Sequence, residues 1–435
     1  MNFISTRDPN VRAGLTQAIV EGIAPDGGLY VPARLPELPL ESFPRGNSLD
    51  EVGAHLIGPF AEDDPLGAEL GAICRDAFVF PAPLARLNGA PGPASVLELF
   101  HGPTCAFKDF GARFLAASLE RIRRGAGRRL TVLVATSGDT GGAVAASLHG
   151  RPWVDVVLLY PKGLVSPRQA HQLACWGGNV RTFAVIGTFD ECQRVVKAAF
   201  RDPALTRARD LSSANSINLG RMLPQMAYYA SASLAIWRAE GRRPNFIVPT
   251  GNLGNAVACV WAREIGLPIG DIVLATNANR PIPDYLEGGE WRPRPSVATL
   301  ASAMDVGDPS NMERLRWLFP GVDTLRGRVR AYSVSDEEIR EEIRAGVPSF
   351  ERVWCPHTAT AARVYRQVAR DRGDEHWVLV ATAHPAKFSE IVEPLAGREV
   401  PMPPALERLL RLPRQEEDLP ATLDALRARL LESAR

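Results

Sequence analysis

The chain has 435 residues, 46% of them hydrophobic and 23% charged, with a formal net charge of +1. That length supports two or three cores of globular composition, and the near-neutral balance gives no electrostatic case for a nucleic acid or an anionic membrane as partner. Six cysteines are scattered without a CxxC pair and the seven histidines do not cluster with them, which argues against a zinc site or a disulfide framework and for a reducing compartment. No run approaches the ~20 apolar residues of a membrane span. The start, Met1 to Asp8, lacks the plan of a secretory signal. The expectation is a cytoplasmic protein without a metal.

In chain order, residues 1–95 read as a mixed N-terminal domain with a helix from Asn10 to Gly22. Asp26-Gly27-Gly28 marks a turn into an edge strand at Leu29 to Pro32. Leu35 to Pro44, Pro81 to Pro83 and Pro91 to Pro93 read as linkers. A short strand from Ser95 to Phe100 meets His101-Gly102-Pro103-Thr104, which cannot continue it, and Asp109 to Arg123 has apolar residues at helical spacing. Strand and helix then alternate from Leu130 to Phe200, the pattern of an open parallel sheet covered by helices.

A longer helix is expected from Leu219 to Arg238. A second alternating unit begins at Asn245, with strands Asn245 to Val248, Asp271 to Thr276 and His376 to Ala381. Residues 279–309 read as an ordered excursion or a mobile flap, and the tail ends in a helix from Ala421 to Leu431. The fold class is α/β: two doubly wound open sheets with a cleft between them, divided as 96–215 and 216–400, plus the N-terminal segment and a helical tail at 401–435.

Five motifs carry chemistry. Lys108 sits at the start of a helix beside Ala106 and Phe107, where the macrodipole and apolar neighbours disfavour an ammonium; a lysine of lowered pKa suits Schiff-base chemistry. Taken alone, it reads more readily as a surface lysine. Gly251-Asn252-Leu253-Gly254-Asn255 joins a strand to a helix and suits an anion such as a phosphate, although such a loop by itself is more often a tight turn. Ser137-Gly138-Asp139-Thr140 is a second such loop, fit for a carboxylate or for a plain helix cap. Thr382 ends a strand, where it would cap the next helix or hydrogen-bond a ring nitrogen. Asn218 and Arg221 sit near a helix start, Arg221 being either an anion clamp or a solvated helix charge.

The run Glu98 to Phe114, ELFHGPTCAFKDFGARF, resembles the lysine segment of threonine synthases, tryptophan-synthase-like enzymes of fold type II that use pyridoxal 5'-phosphate. The resemblance extends through Asp26 to Pro32, Ser137 to Gly141, Asn215 to Asn218, Asp308 to Arg314, Cys355 to Ala359 and Thr382 to Phe388. It implies that Lys108 holds the cofactor and moves the substrate Cα proton. It implies further that Gly251, Asn252, Leu253, Gly254 and Asn255 bind the cofactor phosphate and Thr382 its ring nitrogen. Ser137, Gly138, Asp139 and Thr140 would grip the amino-acid end of the substrate, Asn218 and Arg221 its phosphate. His357 is expected to be structural.

The implied reaction is conversion of O-phospho-L-homoserine and water to L-threonine and phosphate, the last step of threonine biosynthesis. A monomer is the first expectation and a homodimer the second. The nearest alternative is a related phospholyase or amino-acid dehydratase that yields 2-oxobutanoate. A non-catalytic homologue is disfavoured because Lys108 and the 251–255 loop are intact.

Overall fold

The computed structural model describes residues 1–46, 48–370 and 372–432. Three sheets organise it. A small antiparallel sheet takes its strands in the order Arg12–Ala13, Phe3–Ser5, Tyr30–Pro32. The larger sheet runs Arg330–Ser333, Ile272–Thr276, Asn245–Pro249, Trp377–Ala381, Ala94–Glu98, Leu84–Arg86, parallel except at its last strand. A fully parallel sheet runs Glu417–Pro420, Val180–Ile186, Val154–Pro161, Leu130–Ala135, Asp210–Ser213. Helices cover both parallel sheets, which is why Leu130–Ala135, Asn245–Pro249 and Trp377–Ala381 are buried along their whole length and show no alternation.

The two doubly wound sheets of the expected fold class are therefore present, but they do not divide the chain at residue 96. The Ala94–Glu98 strand, which leads to Lys108, pairs with Trp377–Ala381 in the larger sheet and not with Leu130–Ala135. Pro91 to Pro93 lies in the hairpin that turns Leu84–Arg86 back onto it, so this stretch is not a linker. The tail ends in the expected helix, Leu423–Glu432, but is not helical throughout. Helix Pro404–Leu410 and helix Leu423–Glu432 flank Glu417–Pro420, which forms the edge of the fully parallel sheet beside Val180–Ile186. Neither feature is visible in periodicity, because strand order is decided by which sheet edge can cover a strand.

Other elements differ locally. The helix expected from Asn10 begins only at Leu15 and ends at Glu21, since Arg12–Ala13 is drawn into pairing with Phe3 and Ile4. The helix expected from Leu219 to Arg238 is interrupted. Leu219–Met222 passes into a 3-10 turn at Leu223–Gln225, and Met226–Glu240 follows. Pro224, which lacks an N–H, stands in that turn. The 279–309 stretch is the ordered alternative: it contains helix Pro281–Gly288, and Asp305 accepts hydrogen bonds from Asn277, Asn279 and Thr299.

One buried side chain ties distant segments together. The Arg314 guanidinium, fully buried, donates to the carbonyl of Tyr30 at 3.0 and 3.1 Å, to that of Ile217 at 2.6 Å and to Asn311 Oδ1 at 2.6 Å. Burial pushes its pKa down to about 9. Arg314 thus joins the N-terminal sheet to the larger unit. Replacing it with methionine leaves buried acceptors unmet, and Arg314→Met should lower the free energy of unfolding by about 2–4 kcal/mol in urea titrations. An unchanged midpoint would show that the guanidinium carries no such weight.

Candidate active site

The parallel strands Asn245–Pro249, Trp377–Ala381 and Ala94–Glu98 are neighbours, and the segments that follow their carboxyl ends converge. Ligands of open α/β sheets sit at this edge. After the first strand comes the 251–255 loop, after the second Thr382, after the third Lys108. The last two are held in register: Ala106 bridges Ala383 antiparallel, and Phe107 N–H donates to the Thr382 carbonyl at 2.8 Å. One cavity is lined by Lys108, Asp139, Arg221, Gly251, Asn252, Leu253, Gly254, Asn255 and Thr382.

Lys108 is the first residue of helix Lys108–Ile122, as the sequence predicts, and its Nζ lies 4.9 Å from the Phe107 ring centroid. Burial pushes its pKa down to about 8; Asp139 opposes this, while Arg221 and Lys387 add to it. The amine is therefore far closer to its neutral, nucleophilic form than a surface lysine.

The 251–255 loop opens onto helix Gly254–Glu264. Leu253 adopts φ of 62°, a left-handed conformation unusual for a branched side chain. A Cβ on Gly251 would stand 2.7 Å from Met304 Cα, so the chain passes too closely there for any side chain. The side chains of Asn252 and Asn255 brace the loop. Asn252 accepts from Ser310 N–H and donates to Ser216 Oγ, both at 2.7 Å, and Asn255 accepts from Thr250 Oγ1 at 2.7 Å and donates to the Pro249 carbonyl at 2.9 Å. Backbone N–H groups at a helix start are the kind of surface that suits an anion.

Asp139 reaches the cavity, whereas Ser137, Gly138 and Thr140 lie beside it and outside its lining. The Asp139 carboxylate is engaged by Lys387 Nζ at 2.7 Å and by Gln169 Nε2 at 3.0 Å. Burial opposes its ionisation, but Lys387, His357 and Lys108 outweigh that and hold its carboxyl below the usual range. Thr136 Oγ1 accepts from the N–H groups of Gly138 and Gly141 and shapes the turn.

Arg221 is 1% exposed, donates to the Ala214 carbonyl at 2.5 Å, and has no carboxylate partner among the described residues. Burial lowers its pKa to about 10. It is a buried cation at a cavity wall, not a solvated helix charge. Asn218 is a correction. Its amide donates to the Ile19 and Ser213 carbonyls and accepts from Gly220 N–H, so it caps a helix and has nothing left for a substrate phosphate. Thr382 does not cap the next turn either, because His384 Nδ1 does so by accepting from Ala386 N–H.

Sequence reasoning missed Lys387, whose ammonium is fully buried and also donates to the Thr104 carbonyl at 2.8 Å. Its signal was a lysine five residues beyond Thr382, on the first turn after a buried strand. His357, read as structural, lines the cavity.

Comparison with known proteins places this geometry. A family model described as pyridoxal-phosphate dependent enzyme matches residues 78–383, one for the threonine synthase N terminus matches 2–78, and one for the threonine synthase C-terminal region matches 358–429. The threonine synthase of Haemophilus influenzae is 39% identical over 435 residues, 100% of both chains. The crystal structure of threonine synthase from Escherichia coli superposes with a TM-score of 0.91 at 37% identity, covering 100% of each chain. The PLP-bound threonine synthase from Brucella melitensis gives 0.90 at 33% identity, again covering 100% of each chain.

The lowered pKa of Lys108 has a direct signature. Below about pH 8 the ammonium cannot attack a carbonyl, and above it the free amine can. Trapping by a small aldehyde and borohydride on cofactor-free protein, followed by peptide mass mapping, should show Lys108 labelling half-maximal near pH 8. A half-maximum at the ordinary lysine value would contradict the account of its environment.

Proposed function

We propose that this chain, which belongs to the pyridoxal-phosphate dependent threonine synthases, takes O-phospho-L-homoserine as its substrate and, with water, releases L-threonine and phosphate. The carrying observation is the convergence of Lys108, the 251–255 loop and Thr382 beyond the carboxyl ends of three adjacent parallel strands. The residues fit the cofactor: a half-buried lysine amine shifted toward neutrality, a loop with no room for a side chain at Gly251, and a strand-end hydroxyl in the same cavity.

In this reading Lys108 holds the cofactor, the backbone of Gly251, Asn252, Leu253, Gly254 and Asn255 takes its phosphate, and the Thr382 hydroxyl meets its ring nitrogen. The bound cofactor supplies an electron sink for a carbanion at the substrate Cα. Lys108 Nζ, free once substrate has entered, takes the Cα proton. Arg221, buried and without a carboxylate partner among the described residues, attracts the substrate phosphoryl group. The 137–140 turn receives the amino-acid end, with Asp139 neutralised by Lys387 so that it does not repel a second carboxylate.

The protein is proposed to work in the cytoplasm, as a monomer first and a homodimer second. Among the described residues no helix is long and apolar enough to cross a membrane.

Cofactor-loaded protein given O-phospho-L-homoserine should release threonine and phosphate in equal amounts, and Lys108→Ala should lose turnover by about a thousandfold or more. Phosphate accompanied by 2-oxobutanoate would move the chain to the phospholyase or dehydratase alternative. Near-native turnover by the alanine variant would remove the proposed role of Lys108.

A further inference from the structure

His357 is the second residue of helix Pro356–Val368, which begins at the cavity wall with Cys355 as its N-cap. The imidazole is 3% exposed, and its ring lies 4.9 Å from that of Phe388. Nε2 accepts the backbone N–H of Ala303 at 3.1 Å. An imidazole nitrogen that accepts carries no proton, so the neutral ring bears its hydrogen on Nδ1. Burial keeps the ring neutral, with a pKa pushed down to about 4. Nδ1 nevertheless has no hydrogen-bond partner among the described residues.

A buried N–H donor without an acceptor costs about 1–3 kcal/mol and calls for an explanation. The surroundings favour an anion. The start of the Pro356–Val368 helix carries the positive end of its dipole, and Lys108 and Lys387 are cationic neighbours of the ring. The carboxylate nearest in charge effect, Asp139, is already engaged by Lys387 and Gln169.

We propose that His357 donates its Nδ1–H to an anionic oxygen of the bound substrate, at a subsite formed with the N-terminal end of the Pro356–Val368 helix. This rests on the substrate reading above, in which the ligand carries two anionic groups, an α-carboxylate and a phosphoryl. Both offer the acceptor chemistry that the donor needs. Being neutral, the imidazole would orient that group without adding a charge to a cavity that already holds Lys108 and Arg221.

Two substitutions separate the donor from the packing. In His357→Gln the amide oxygen can still accept from Ala303 while the position of Nδ1 is left without a donor. In His357→Asn the amide N–H falls near the place of Nδ1. Cofactor-loaded wild type and both variants would be titrated calorimetrically with three probes that carry no leaving group: 2-amino-5-phosphonopentanoate, which has both anions, L-norvaline, which has only the carboxylate, and 4-aminobutylphosphonate, which has only the phosphoryl anion.

The glutamine variant should bind the first probe about tenfold more weakly, as expected for one charge-assisted hydrogen bond. It should show the same loss with only one of the other two, which identifies the group held, and the asparagine variant should recover most of it. Unchanged affinities in the glutamine variant, or an equal loss for all three probes with no recovery by asparagine, would overturn the proposal. Products made by the wild type report separately on the substrate reading, because these titrations follow binding and not turnover.

Discussion

The arrangement depends on a short stretch of backbone pairing between two segments far apart in sequence. Phe107 N–H donates to the Thr382 carbonyl at 2.8 Å, His384 N–H donates to the Cys105 carbonyl at 3.0 Å, and Ala106 bridges Ala383. These bonds extend the pairing of Ala94–Glu98 with Trp377–Ala381 past the sheet edge. They set Lys108 at a fixed distance from Thr382, and the register is enforced because the strands behind them are buried. Cys105, with φ of 55°, lets the chain turn from the strand direction toward the helix. A reactive lysine on a free loop would sample many positions; here it starts a helix anchored on both sides.

Around that anchor the charges are arranged to suit anions. Lys108 and Arg221 line the cavity, and Lys387 lies against Asp139. Asp139 is committed to Lys387, and Asp109 to Thr104, whose N–H and hydroxyl it accepts at 2.8 and 2.7 Å. Burial raises the Asp109 pKa to about 6, so at neutral pH it is still mostly a carboxylate, and its charge is met by these two Thr104 donors. What remains is an enclosed region of net positive potential, strengthened by its low dielectric. A phosphorylated cofactor and a phosphorylated amino acid both match it. The Asp139–Lys387 pair also couples the two sheets, since Asp139 starts helix Asp139–Leu148 beyond the fully parallel sheet and Lys387 follows strand Trp377–Ala381 of the larger one.

Much of this was legible from residues alone. The Leu130–Ala135 strand and the glycine loops stood out because continuous β-branched runs and glycine clusters have local causes. Lys108 was found where a strand signal stopped and a helical period began. What was not legible depended on three-dimensional partners. For Asn218 the sequence is ambiguous, because an amide near a helix start serves a cap or a substrate equally well, and only the carbonyls of Ile19 and Ser213 decide between them. Lys387 was overlooked because its partner lies 248 positions earlier in the numbering of the chain, at Asp139. The assignment of Ala94–Glu98 to the larger sheet likewise follows from a crossover that no periodicity records.

The central claim is that the cofactor is carried by the lysine that this pairing holds in place. Protein loaded with pyridoxal 5'-phosphate, reduced with borohydride and digested, should carry the reduced cofactor's mass on the peptide containing Lys108 and on no other lysine. Label on Lys387, or on a surface lysine such as Lys162 or Lys197, would contradict the account.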